Sequence, residues 1–143
     1  MKVWLPLDSA AVALGADEIA EAIQSLAAQR GVDLTLVRNG SRGMVWLEPL
    51  AEVETPQGRM AFGPMTLDDV PALFGDLAAH PKALGRTEDL PWLKAQTRLT
   101  FARVGLTDPL SLQDYTAHGG LEGLKRALGM TPAELVAEVT DSG

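Results

Sequence analysis

The chain contains no cysteine, and this absence removes several kinds of chemistry at once. Without a thiol these residues can form no disulfide, supply no thiolate nucleophile and hold no iron–sulfur cluster through cysteine. Histidine is nearly as scarce, because His80 and His118 are the only two and a histidine-based metal site needs more ligands. We therefore expect no metal site in this chain.

Basic residues and long apolar runs are also in short supply. Twelve Lys and Arg stand against 19 Asp and Glu, which gives a net charge of -7. Such a chain is not attracted to nucleic acid or to anionic membranes, so we expect neither as a partner. No apolar run approaches the roughly 18 residues of a membrane span, and the N-terminus lacks the pattern of a secretion signal. These features predict a cytoplasmic protein.

The first half of the chain alternates between strand and helix patterns. Apolar spacing from Ala16 to Arg30 predicts a helix that ends at Gly31. Short apolar or alternating runs predict strands at Lys2–Leu7, Asp33–Val37, Met44–Leu47, Glu52–Thr55 and Arg59–Phe62, the last two forming a hairpin. Thr66 is placed to cap a helix that runs to about Phe74. The order β-α-β-β-β-α predicts an α/β sandwich of the thioredoxin-like kind over residues 1–75.

The second half is predicted to be a linker followed by short helices. Gly75 to about Glu88 shows no clear period, so residues 76–97 are interpreted as a linker that ends in a helix from Asp89 to Thr97. Residues 98–143 then form an all-helical segment. Its helix boundary signals are a start at Asp108-Pro109 and a stop at His118-Gly119-Gly120. A second helix is predicted at Leu121–Leu128, ended by Gly129, and a capping box at Thr131 and Glu134 starts a third.

This C-terminal segment resembles a known family. The residues that carry the resemblance are Arg98, Leu99, Gly105, Asp108, Pro109, Tyr115, Gly119, Gly120, Leu124 and Leu128. They are similar to the lead-in of NADH-oxidising flavoprotein subunits, found in respiratory complex I, NAD-reducing hydrogenases and soluble NAD-dependent formate dehydrogenases. In that family the Ser-Gly that matches Ser142-Gly143 precedes the loop that holds FMN phosphate. The resemblance therefore implies that residues 98–143 are the truncated start of an FMN- and NADH-binding domain.

The N-terminal domain resembles the thioredoxin-like [2Fe–2S] ferredoxins. Gly15 and the stretch NGSRGMVWLEP anchor the alignment. The family's four cluster cysteines then fall on Pro6, Ala11, Ser41 and Val45. None of these side chains is a suitable iron ligand. The resemblance thus implies a ferredoxin scaffold without its cluster.

Taken together, the two halves resemble the N-terminal part of the β (diaphorase) subunit of soluble NAD-dependent formate dehydrogenase. The string NGSRG…WLEPL…VETP…GPM favours that subunit. The resemblance implies a non-catalytic assembly module, with no catalytic, cofactor-binding or metal-binding residues of its own. The full-length subunit would pass electrons through a [4Fe–4S] cluster and FMN to NAD+. Its partners would be a molybdenum-containing α subunit and a [2Fe–2S] γ subunit.

Alternatives to this interpretation stay open. The chain also suits the same region of an NAD-reducing hydrogenase or a complex I type diaphorase subunit. A stand-alone, non-catalytic adaptor that ends at Gly143 is a hypothesis of another class. A small acid–base enzyme has weak support, because no residues converge on a nucleophile with its base. If the chain is a fragment of a flavoprotein subunit, the apolar faces of its C-terminal helices need to be covered by the rest of that subunit. The isolated fragment is then expected to self-associate or to be partly disordered.

Several local motifs have both a structural and a functional interpretation. The turn Asn39–Gly43 suits an anion-binding nest, but a plain strand connection is favoured. Gly119-Gly120-x-x-Gly123 suits a helix stop better than a phosphate loop, with His118 complementing the helix dipole and Tyr115 packing locally. The acidic pairs Asp68-Asp69 and Glu88-Asp89 suit helix starts better than a metal site. Trp4 and Trp46 are expected to anchor a core or an interface. Trp92 is the best candidate for docking either the two segments of the chain or a partner subunit.

Overall fold

The structure is a computed structural model that describes all of residues 1–143. The chain divides into two compact units, Met1–Pro109 and Leu110–Gly143. The division therefore falls after Pro109, and residues 76–97 belong to the first unit.

A mixed five-stranded sheet forms the centre of the first unit. Its strands are β1 (Lys2–Trp4), β2 (Thr35–Val37), β3 (Ala51–Thr55), β4 (Gly58–Phe62) and β5 (Ala83–Arg86), in the order β2-β1-β3-β4-β5. β1 and β2 are parallel, and the other neighbouring pairs are antiparallel. A parallel pair needs a long crossover, which the intervening helices supply. The predicted α/β class, the parallel pair and the β3–β4 hairpin are confirmed.

The crossover contains α1 (Ser9–Ala13) and the longer α2 (Ala16–Arg30). α2 has the predicted bounds and ends at Gly31, whose φ of 64° is the left-handed conformation that glycine adopts readily. Its apolar face buries Ile19 and Ile23 in the main core, whose other buried members include Val3, Leu5, Val53, Phe62, Met65 and Leu73. Burial of this stripe explains why a helix forms here.

The segment after the hairpin is a 3₁₀ helix at Leu67–Phe74. Its start follows Thr66, as predicted, and Asp69 accepts hydrogen bonds from the Thr66 amide at 2.9 Å and hydroxyl at 2.7 Å. Pro71 lies inside it and supplies no amide hydrogen, which interrupts regular α-helical bonding.

The predicted strand at Met44–Leu47 is wrong. Val45–Leu47 is a 3₁₀ helix that follows Met44. Met44 is buried whereas Val45 and Trp46 are exposed, so the apolar run does not form a buried strand.

The predicted linker is wrong as well, because Gly75 to Glu88 includes the edge strand β5 and two 3₁₀ helices, Leu77–Ala79 and Thr87–Asp89. His80 fixes the entry to β5: its Nε2 lies 3.1 Å from the Asp69 carbonyl oxygen, and its Nδ1 accepts from the Lys82 amide at 3.0 Å. These contacts position β5, and the local sequence pattern does not show them.

Two helix boundaries also differ from the prediction. The helix expected at Asp89–Thr97 is only the four-residue α3 (Pro91–Lys94). No helix starts at Asp108-Pro109, because the Ser111 hydroxyl accepts from the Asp114 amide and α4 begins at Leu112.

The second unit consists of α4 (Leu112–Ala117), α5 (Glu122–Leu128) and α6 (Pro132–Asp141). The predicted stop after α4 is confirmed, since its C-cap is His118 and Gly119 has a φ of 75°. Gly129 ends α5, and the Thr131–Glu134 capping box starts α6, as predicted. None of the helices is both long and apolar enough to cross a lipid bilayer.

Candidate functional site

A cluster of charged side chains lies inside the first unit. Arg42 and Glu52 are almost fully buried, with side chains 2% and 1% exposed. Arg42 Nε lies 3.2 Å from Glu52 Oε1, and Arg59 Nη1 lies 3.6 Å from Glu52 Oε2. Arg42 also pairs with Glu88, which is half exposed. Buried charges are tolerated only when paired, so these side chains must be placed together.

The sheet register explains how the cluster forms. Glu52 lies on β3 beside Val53, and successive strand residues face opposite sides of a sheet. Val53 packs in the main core, so Glu52 faces the other side together with its cross-strand neighbour Trp4. The guanidinium of Arg59 lies 3.6 Å from the centre of the Trp4 ring. Trp4 therefore anchors a core position, as expected, and its ring also contacts a partly buried cation.

The cluster binds the backbone of residues 98–109. Arg59 donates to the carbonyl oxygens of Gly105 at 2.9 Å and Leu106 at 2.7 Å. The Asn39 side-chain amide also donates to Gly105, at 2.7 Å. Three hydrogen bonds thus hold two consecutive carbonyls, and the two from the charged Arg59 are of a strong kind. We call this set of contacts the Gly105 clamp.

Gly105 is required by the geometry of the clamp. Its φ is 80°, and a Cβ built at this position would overlap the Cδ of Arg42 and lie 3.3 Å from the Gly40 carbonyl oxygen. Both the left-handed backbone and the close approach favour glycine. Gly105 is one of the residues that carry the flavoprotein resemblance, and here its role is to allow the segment to contact the buried cluster.

Burial shapes the ionisation of the cluster. Burial raises the pKa of Glu52, although Arg42 and Arg59 oppose this shift. Burial likewise lowers the pKa of Arg59. Nearby, burial raises the pKa of Glu48, although the Ser41 hydroxyl and the Leu50 amide donate to it at 2.8 and 2.9 Å. Desolvation of these charges offsets part of their attraction, so the ion pairs by themselves are weak evidence for stability.

The turn Asn39–Gly43 is part of this clamp rather than an anion nest. Asn39 and Arg42 are buried and directed to Gly105 and Glu52, and the Ser41 hydroxyl donates to Glu48. The turn connects β2 to the 3₁₀ helix at Val45–Leu47, so the predicted connection between two strands is wrong, and its buried side chains serve the clamp instead. Sequence reasoning missed that this turn, Glu52 and Arg59 act together. The available signal was a charged residue, Glu52, next to the apolar residues Leu50, Ala51 and Val53.

The positions aligned with the cluster cysteines offer few side-chain atoms that could bind iron. Pro6 and Ala11 are buried, and Val45 is exposed. Ser41 offers the only side-chain donor atom of the four, and its hydroxyl is bound to Glu48. No group of three His, Asp or Glu side chains is arranged to hold a metal ion.

The two acidic pairs behave differently. Asp69 is a capping residue, as expected, and although burial favours its neutral form, hydrogen bonds from Thr66 lower its pKa. Asp89 pairs with Arg86 at 2.6 Å and Lys94 at 3.1 Å, and these partners hold its pKa far below the usual range. Glu88 lies in the first turn of the 3₁₀ helix Thr87–Asp89, as expected, and its carboxylate also pairs with Arg42.

Two tryptophans that are distant in sequence meet in the fold. Trp46 and Trp92 form an edge-to-face pair with ring centres 5.2 Å apart. They remain 59% and 49% exposed, so neither anchors a core. In the second unit, Tyr115 packs locally as expected: its carbonyl accepts from the Gly120 amide at 2.8 Å, and a Cβ at Gly120 would overlap its ring. His118 Nδ1 lies 2.9 Å from the Asp114 carbonyl oxygen, at the end of α4.

Comparison with known proteins gives one informative match. No protein-family model matches the chain. Over 50 residues, 35% of the chain, it is 48% identical to the NADP-reducing hydrogenase subunit HndC of Solidesulfovibrio fructosivorans. The match spans only 10% of the length of that subunit. The chain is therefore similar, over about a third of its length, to a subunit of a redox complex.

Proposed function

We propose that this chain is a non-catalytic assembly module of the flavoprotein subunit of an NAD(P)-linked redox complex. Its role is to hold residues 98–109, the start of the lead-in of the flavin domain, against the sheet of the first unit. The observation that carries the proposal is the Gly105 clamp, in which Arg59 and Asn39 bind the Gly105 and Leu106 carbonyls. The clamp joins the two parts of the sequence that carry separate family resemblances.

A thioredoxin-like origin of the first unit is part of this proposal. It is supported by the parallel β1–β2 pair with its helical crossover, followed by the antiparallel β3–β4 hairpin and a helical segment. The aligned cysteine positions Pro6, Ala11, Ser41 and Val45 support a scaffold that positions a neighbour instead of carrying electrons. In this proposal FMN, a [4Fe–4S] cluster and NAD belong to the full-length subunit.

Two complexes are candidates for the parent enzyme. The similarity to a subunit of an NADP-reducing hydrogenase favours a hydrogenase. The sequence string over residues 39–65 and the cluster-less domain favour the β subunit of an NAD-dependent formate dehydrogenase. Its partners would be molybdenum-containing α and [2Fe–2S] γ subunits. The two differ in the electron donor, which makes them separable by assay.

The test is to tag the chain in its source cells and purify the native complex under mild conditions. We expect a preparation that contains flavin and reduces NAD+ or NADP+ with either hydrogen or formate. Activity with hydrogen assigns the hydrogenase, and activity with formate assigns the formate dehydrogenase. The isolated 143 residues serve as the control and should be colourless and inactive with NADH. Flavin and NADH oxidation in that control, or a native preparation with no redox activity, would contradict the proposal.

A further inference from the structure

One segment of the first unit has a charge opposite to that of the chain. Residues 90–107 contain Lys94, Arg98 and Arg103 and no Asp or Glu, in a chain of net charge -7. Just before it, Asp89 pairs with two cations, Arg86 and Lys94, and the neighbouring Glu88 pairs with Arg42. A local positive excess on an acidic protein attracts negatively charged surfaces selectively.

The same segment exposes large apolar side chains. Trp92, Leu99 and Phe101 are 49%, 83% and 63% exposed. Trp46 extends this surface, because its ring packs edge-to-face against Trp92. An open cavity of about 420 Å³ is lined by residues 96–101. Exposed aromatic side chains beside cations are typical of the energetic centres of protein interfaces.

We propose that this surface, formed by Trp46, Trp92, Lys94, Leu99 and Phe101, docks an acidic protein subunit with an apolar centre. The paired tryptophans and Phe101 would be covered by apolar side chains of the partner, and Lys94 would face its carboxylates. This proposal names the docking surface of the proposed assembly function and rests on it.

Other kinds of partner fit the surface less well. Nucleic acid and anionic membranes attract proteins through many cations, whereas this segment has three in a chain whose net charge is negative. The relative with which the chain shares 48% identity over 50 residues is named as a subunit, which favours a protein partner. The opposite charge of the segment and the rest of the chain favours an acidic surface on that partner.

The experiment is site-specific photo-crosslinking in the source cells, with a photoreactive phenylalanine analogue replacing Phe101 in the full protein. The matched control carries the analogue at Leu67, which is similarly exposed at 54% but lies on the Leu67–Phe74 helix. We expect position 101 to give an adduct with a different polypeptide, at a site where Asp and Glu outnumber Lys and Arg. A lipid, nucleic acid or self adduct, no adduct, or an equal yield from position 67 would overturn the proposal.

A charge reversal tests the electrostatic part. Lys94→Glu should reduce the amount of the crosslinked polypeptide that co-purifies by about tenfold or more, as expected when like charges meet at an interface. Arg30→Glu makes the same charge change at another exposed position, at the end of α2, and should have little effect. Circular dichroism of both variants verifies that the fold is retained. Equal losses for both variants would contradict the proposal.

The outcomes separate this surface from the proposed function. If the acidic partner belongs to no redox complex, the surface stands and the assembly function in such a complex fails. If the chain purifies with an NAD(P)-reducing complex but position 101 contacts no subunit of it, the function stands and the surface is wrong.

Discussion

The Gly105 clamp makes a sharp prediction about Gly105→Ala. A left-handed backbone costs a residue with a Cβ about 1–2 kcal/mol. The new methyl group must also displace the side chain of Arg42, which is only 2% exposed and paired with Glu52. Overpacking of a buried site costs about 1–3 kcal/mol. We therefore expect Gly105→Ala to lower the free energy of unfolding by about 2–5 kcal/mol, the combined range of these two effects.

Gly85→Ala is the matched control for this measurement. Gly85 has a φ of 92°, close to that of Gly105, but no atom lies within 4 Å of a Cβ built there. It should therefore show the backbone cost alone, about 1–2 kcal/mol. Urea unfolding followed by tryptophan fluorescence and circular dichroism gives both values. Limited trypsin digestion reports separately on whether the segment near Arg103 has been released.

A double variant identifies the cause of the difference. Shortening the displaced side chain in Arg42→Ala removes the atom that the methyl group would overlap, so Gly105→Ala should cost much less in that background. Neighbouring residues that share a contact show such non-additive free energies. If Gly105→Ala is no more costly than Gly85→Ala, or if its cost is unchanged in Arg42→Ala, the reasoning about the clamp is refuted.

Three further predictions concern the clamp and its surroundings. Arg59→Lys keeps the charge but cannot donate to both the Gly105 and the Leu106 carbonyl in the same geometry. We expect the free energy of unfolding to fall by about 1–3 kcal/mol and amide exchange in residues 98–109 to become faster. Unchanged exchange would argue against the clamp. Burial raises the pKa of Glu48 above 4.5, so the free energy of unfolding should fall as pH rises from 4.5 through that raised pKa. Glu48→Gln should reduce this slope by up to about 1.4 kcal/mol per pH unit. An identical pH slope in the variant would refute this. Asp69 has a lowered pKa, so its contribution to the free energy of unfolding is present above pH 3.8 and is lost as pH falls through the lower folded pKa. Asp69→Asn should lower the free energy of unfolding by about 0.5–2 kcal/mol at pH 7. Urea unfolding at pH 2 to 7 should also show a weaker loss of stability at acid pH in the variant.

The helices of the second unit expose several large apolar side chains. Leu112, Leu124, Leu128, Val136 and Val139 are all more than half exposed. Leu124 and Leu128 are among the residues that resemble the flavoprotein lead-in. Apolar surface of this kind is costly in water, and the expectation that another part of an assembly covers it stays a prediction.

Local signals in the sequence determined much of the fold. Helix α2 and its stop at Gly31, the β3–β4 hairpin and the capping box of α6 were all predicted, because they depend on residues close together in the chain. Periodicity, turn residues and caps act over a few residues and can be identified without tertiary information. The absence of cysteine likewise follows from the sequence alone.

Tertiary structure alone decided the candidate site. Arg42, Glu52, Arg59 and Gly105 are brought together by sheet register and by a return of the chain after more than 40 residues. Strand β5 failed as a prediction for the same reason, since pairing with β4 outweighs the irregular pattern around Gly85. Trp46 and Trp92 likewise meet only in three dimensions. A charged or glycine residue shows no partner in its local sequence, because electrostatic pairing and close packing depend on distance in space.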